Sequence, residues 1–159
     1  MRMRTLVVAV AVGCFLSGSP IASQSSDPWI GTWKLNTVKS KYSTGLTPRS
    51  STLISVAVDG GFKQTVDTVM ATLGMPTHSE VTAKFDGKDH PVRGNANADT
   101  SAYTRIDGRA YEVVSKKNGK VTLTSRVVIS ADAKTRTVTQ SGTDAQGRKI
   151  NNLLVYDRQ

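Results

Sequence analysis

The chain has 159 residues, with 21 Lys and Arg against 12 Asp and Glu, and a single cysteine. Its net charge of +9 can attract anions, although the dispersed lysines and arginines read more simply as a solvated surface, and one cysteine excludes an internal disulfide or a zinc site built from several thiolates. The length fits one domain, and no apolar run is long enough to form a membrane-spanning helix.

Arg2 and Arg4 precede an apolar stretch from Thr5 to Leu16, which is followed by the small residues Ser17, Gly18, Ser19, Ala22 and Ser23. That order reads as a signal peptide over residues 1–23, cleaved near Ala22 or Ser23. Residues 24–159 then form one exported domain, periplasmic or secreted. Loss of Arg2 and Arg4 takes its charge from +9 to +7 and leaves it without a thiol. A rival reading takes Ala11-Val12-Gly13-Cys14 as a lipobox that anchors the protein through Cys14, although Ala11 stands where a larger aliphatic is usual.

The mature chain opens with a strand around Trp29-Ile30-Gly31-Thr32-Trp33, in which Trp29, Gly31 and Trp33 share one parity. Residues 37–50 form a connection long enough for a lid-like loop or one helical turn. Strands follow at 51–58, with Ile54, Val56 and Val58 on one face, and at 61–69, with Phe62, Gln64 and Val66 on one face. Further strands are predicted at 77–85, 89–93, 100–106, 109–116, 120–130, 134–141 and 148–157. Between them stand Asp59-Gly60-Gly61, Asp86-Gly87, Asp107-Gly108, Asn118-Gly119, Asp132-Ala133 and Asp144-Ala145-Gln146-Gly147. Asn-Gly and Asp-Gly supply the positive φ of primed hairpin turns, whose twist matches that of the strands they join. No helical apolar stripe occurs outside the signal peptide, so the fold class is all-β. The architecture is an antiparallel up-and-down meander of about eight to ten strands, closed into a barrel that removes its own edges.

Gly31-Thr32-Trp33 on the first strand of an exported meander resembles the calycins, which include lipocalins, fatty-acid-binding proteins and avidins. The longer run Gly31-Thr32-Trp33-Lys34-Leu35-Asn36, with Lys39-Ser40-Lys41-Tyr42, resembles small secreted bacterial proteins described as lipocalin-like. The end of the chain, Leu153-Leu154-Val155-Tyr156-Asp157-Arg158, is similar to the last strand of a fatty-acid-binding protein. The resemblance implies a calycin-like barrel with Trp33 as a structural plug at its base, packed under a basic residue from the far end of the chain. Fatty-acid-binding proteins carry Arg-x-Tyr on the last strand to grip a carboxylate; here Tyr156 is kept and Leu154 stands at the arginine position. They also insert two helices after the first strand, and the stretch from Thr37 to Ser50 is too short for two.

Candidate ligand-binding residues are Phe62, Gln64, Tyr103, Arg105, Tyr111 and Tyr156. Tyr156 shares an apolar face with Ile150 and Leu154, and its phenol can reach a cavity or bond to the backbone. If Tyr103, Arg105 and Tyr111 point inward, they form a polar end suited to an anionic headgroup; an outward Arg105 is the commoner placement for arginine. His78 and His90 are twelve residues apart with no helix between them, too sparse for a metal site without recruited acids. Asp59, Asp86, Asp107 and Asp132 are explained by turn-making, and no serine elbow or phosphate-binding loop occurs, so no catalytic residues and no cofactor are assigned.

The expectation is therefore a non-enzymatic, monomeric binding protein for a small hydrophobic or amphiphilic molecule. The alternative is an envelope or surface interaction protein with a filled β core, whose basic face meets anionic lipid or polysaccharide. The basic residues are dispersed and not interleaved with exposed aromatics, which argues against nucleic acid.

Overall fold

A computed structural model describes residues 27–159 apart from 45, 46, 73, 75 and 145; the expected signal peptide and Cys14 lie outside the described residues. Ten strands follow one another: β1 (Gly31–Leu35), β2 (Pro48–Val58), β3 (Gly61–Met70), β4 (Pro76–Ala83), β5 (Asp89–Arg93), β6 (Thr100–Arg105), β7 (Ala110–Lys117), β8 (Lys120–Ile129), β9 (Thr135–Thr143) and β10 (Lys149–Arg158). Each pairs antiparallel with the next, and β1 also pairs with β10, so the meander closes into an up-and-down barrel. No helix occurs among the described residues.

The turn residues act as their chemistry requires. Asn118 and Gly119 take φ of 50° and 74° between the paired Lys117 and Lys120, the geometry of a type I′ hairpin. The Asp107 carboxylate accepts the Arg109 N–H, Asp86 accepts that of Lys88, and Asp132 accepts that of Lys134. These are Asx turns, which hold the chain reversal locally.

Inside, the barrel has two unlike ends. At the closed end, Trp29, Phe62, Phe85, Tyr103 and Tyr111 interlock, with Trp29–Phe85 and Phe62–Phe85 centroids 5.0 Å apart and Phe62–Tyr103 at 5.1 Å. Such tilted and edge-to-face pairs each contribute about 0.5–1.5 kcal/mol beyond simple burial. Beneath them Trp33 is fully buried and donates its indole N–H to the Trp29 carbonyl at 3.1 Å. The Arg158 guanidinium lies 4.4 Å over the Trp33 ring. It also donates to the carbonyls of Ile30 and Ala133, at 2.9 and 2.7 Å, and to that of Pro28. The plug implied for Trp33, under a basic residue from the end of the chain, has this form.

Gly31 explains itself here. Its φ is +136°, and an added Cβ would stand 2.6 Å from Arg158 Nη1. The Gly-x-Trp pattern thus leaves room for the arginine that covers the tryptophan.

The structure adds two details to the sequence reading. The aliphatic face of β2, Ile54, Val56 and Val58, turns outward and is exposed, while Ser51, Leu53 and Ser55 are buried within. Across the sheet Leu53 faces Trp33 of β1 and Val66 of β3, Ser55 faces Gly31 and Gln64, and Ser51 faces Thr68. The 37–50 connection, in its described part, runs along β10: Lys41 and Leu153 exchange backbone hydrogen bonds of 2.7 and 2.9 Å. The Ser40 hydroxyl accepts the Val155 N–H, and Ser43 accepts that of Asn151.

Candidate functional site

Above the aromatic plug the barrel encloses a cavity of about 420 Å³. Its apolar lining includes Leu53, Val66, Val113, Val127 and Leu154, and its polar lining includes Thr68, Ser79, Ser101, Ser125 and Gln140. The alternation of the strands delivers these residues, since every second side chain faces the interior. Residues 94–97 of the β5–β6 connection also border the cavity. Gly94 takes φ of +71°, and a Cβ there would meet the His78 carbonyl oxygen at 2.0 Å, so glycine lets this loop lie against β4.

Of the six candidate ligand residues, Gln64, Tyr103, Tyr111 and Tyr156 line this cavity and Phe62 and Arg105 do not. Phe62 belongs to the plug. Arg105 lies outside, stacked 4.4 Å from the Trp29 ring centre and 4.8 Å from that of Phe85. It also meets the Asp27 carboxylate at 3.4 Å. Its position near the end of β6 decides this: the interior there is already filled by aromatics, so the guanidinium packs on their outer side.

The cationic wall residue is instead Arg136, which the sequence reading did not single out. It sits on β9 opposite Ile129 and Tyr156 and is 3% exposed. Its Nη2 donates to the Tyr111 hydroxyl at 2.6 Å and to Gln64 Oε1 at 3.2 Å. The guanidinium also lies 5.7 Å from the Tyr111 ring centre. The signal available in sequence was parity alone: Arg136, Val138 and Gln140 alternate with Thr135, Thr137 and Thr139, and neither set is an apolar face that would mark the interior.

Burial pushes the phenols of Tyr103, Tyr111 and Tyr156 up, because the phenolate would lose its hydration; nearby Arg136 offsets only part of this. All three therefore remain protonated hydrogen-bonding groups at neutral pH.

His78 and His90 lie away from the cavity lining, His78 paired with Asp67 at 2.6 Å and His90 with Asp86 at 2.9 Å. Among the described residues no group of three or more His, Cys, Asp or Glu is placed to hold a metal ion.

No protein-family model matches the chain, and none of the curated proteins compared with it matches. The architecture itself defines the class: an all-β, ten-stranded, closed up-and-down barrel, consistent with a calycin-like fold.

Proposed function

We propose that this is an exported, lipocalin-like binding protein that holds a small hydrophobic or amphiphilic molecule inside its barrel. The observation that carries the reading is the cavity of about 420 Å³ above the aromatic plug, within the size range of small-molecule sites. Binding would come from burying the apolar part of the ligand against Leu53, Val66, Val113 and Leu154. Tyr103, Tyr111, Tyr156 and Gln64 would fix its orientation. The reading needs no catalytic group or cofactor and a single copy of the chain. Native mass spectrometry of the protein purified from its own compartment tests it. The expected result is an added small-molecule mass that disappears on denaturation; a bare polypeptide mass, together with no uptake of apolar dyes, would count against it.

A second reading, contact with an anionic envelope surface, is favoured by one observation. Ile54, Val56 and Val58 form an exposed aliphatic row on β2, with Lys63 opposite Val56 and Lys34 opposite Thr52. Salt-sensitive binding to anionic liposomes, without apolar dye uptake, would select it over the cavity.

A further inference from the structure

We infer that the inner wall of the cavity is an anion anchor, in which the Arg136 guanidinium, with the Tyr111 hydroxyl, holds the carboxylate of a compact amphiphilic acid. The inference rests on the cavity-binding function proposed above and names the chemical class of the ligand.

Three observations carry it. First, Arg136 is a buried cation without a counter-ion. It is 3% exposed, and none of the ion pairs among the described residues includes it. Glu80, the acid that borders the same cavity, is engaged by Lys63 at 3.0 Å and Arg93 at 3.7 Å. A guanidinium keeps its proton even when buried, so the charge cannot be relieved by titration as a lysine's can. Removing it from water without a partner is unfavourable, and an anionic ligand supplies the missing partner.

Second, its donors are only partly used. Nη2 serves Tyr111 and Gln64, while Nε and Nη1 are buried with no hydrogen-bond partner among the described residues. Arginine has five N–H donors and no acceptor, so the unmet need is for acceptors, which a carboxylate provides together with charge.

Third, the neighbouring hydroxyl is set up to assist. Tyr111 Oη already accepts from Arg136, which leaves its own O–H free to donate to a second group. Burial keeps that phenol protonated.

The rest of the lining limits the body of the ligand. A long alkyl chain would press hydrocarbon against Thr68, Ser79, Ser101, Ser125 and Gln140 and leave polar atoms facing it. A compact acid that carries a ring, or a few polar groups, matches this mixed wall better.

The test compares two probes of nearly the same shape, 1-naphthylacetate and the neutral 2-(1-naphthyl)ethanol, titrated into the mature protein and into Arg136→Gln. The wild type is expected to bind the acid about tenfold or more tighter than the alcohol. Arg136→Gln is expected to erase that preference by weakening the acid far more than the alcohol. Equal binding of acid and alcohol by the wild type, or a preference that survives in Arg136→Gln, would overturn the anchor. The neutral dye N-phenyl-1-naphthylamine separates the two levels. If it still binds without any preference for the acid, the anchor alone fails; if all three probes are refused, the cavity function fails with it. Should Arg136→Gln not fold, Tyr111→Phe takes its place. It keeps the ring, and it should weaken acid binding about threefold or more, and by more than it weakens alcohol binding; unchanged acid affinity would again overturn the anchor.

Discussion

The two ends of this barrel are built from the same strands yet packed on opposite principles. The closed end is filled by aromatic rings and sealed by the Arg158 side chain against three backbone carbonyls. The other end is lined by serines, threonines and short aliphatics that do not meet across the middle, and it leaves a cavity of about 420 Å³. A ten-stranded barrel is wide, and side chains of ordinary size fill it only where large ones are concentrated. The difference is one of packing: aromatic rings are concentrated at one end, and open space is left at the other.

Substitutions can break that division. Trp33→Ala at the plug should have the largest effect, about 3–5 kcal/mol in urea unfolding, since it leaves a hole beneath Arg158. An equally large loss from a cavity-lining serine would erase the distinction between the ends.

Alkaline pH probes the boundary between them. Tyr103, Tyr111 and Tyr156 have folded-state pKa values raised above the ordinary 10.0. Their contribution to stability is therefore complete below pH 10 and shrinks as pH rises toward the folded values, because the unfolded chain loses these protons first. The loss reaches at most about 1.4 kcal/mol per tyrosine for each pH unit above 10. Ultraviolet titration should show these phenols ionising together with unfolding; ionisation of all three near pH 10 in the folded protein would refute their burial.

Gly31→Ala should cost about 1–3 kcal/mol, from the positive φ and the collision with Arg158. Thermal unfolding measures it, and a neutral effect would mean that the arginine does not occupy that space. Ser101→Ala on the cavity wall is expected to cost about 1 kcal/mol or less, the value of its 2.9 Å bond to Ser115.

Much of this architecture was legible in the sequence. Asn118-Gly119 and the Asp-containing turns marked the hairpins, and Gly31-Thr32-Trp33 with the last strand marked the two ends that meet. What parity could not show was which face of a strand looks inward where both are mixed. On β2 the more hydrophobic face points out, while Ser51, Leu53 and Ser55 look inward. Arg105 stands between Thr104 and Ile106 and Arg136 between Thr135 and Thr137, and their position along the barrel distinguishes them. Arg105 lies level with the plug and packs outside it, whereas Arg136 lies opposite Tyr156, where the cavity begins. That information is three-dimensional and becomes available only once the strand register is known.

The most direct test of the division between a filled end and a receiving end is to fill the second as the first is filled. Ser125 lies on β8 in the cavity wall, and Ser125→Trp should occupy much of the space. Titration of N-phenyl-1-naphthylamine into wild type and variant, with unfolding measured in parallel, is expected to show binding by the wild type and a loss of about tenfold or more in a variant that still folds cooperatively. Equal dye affinity in the two folded proteins would place the bound molecule outside the barrel and contradict the account.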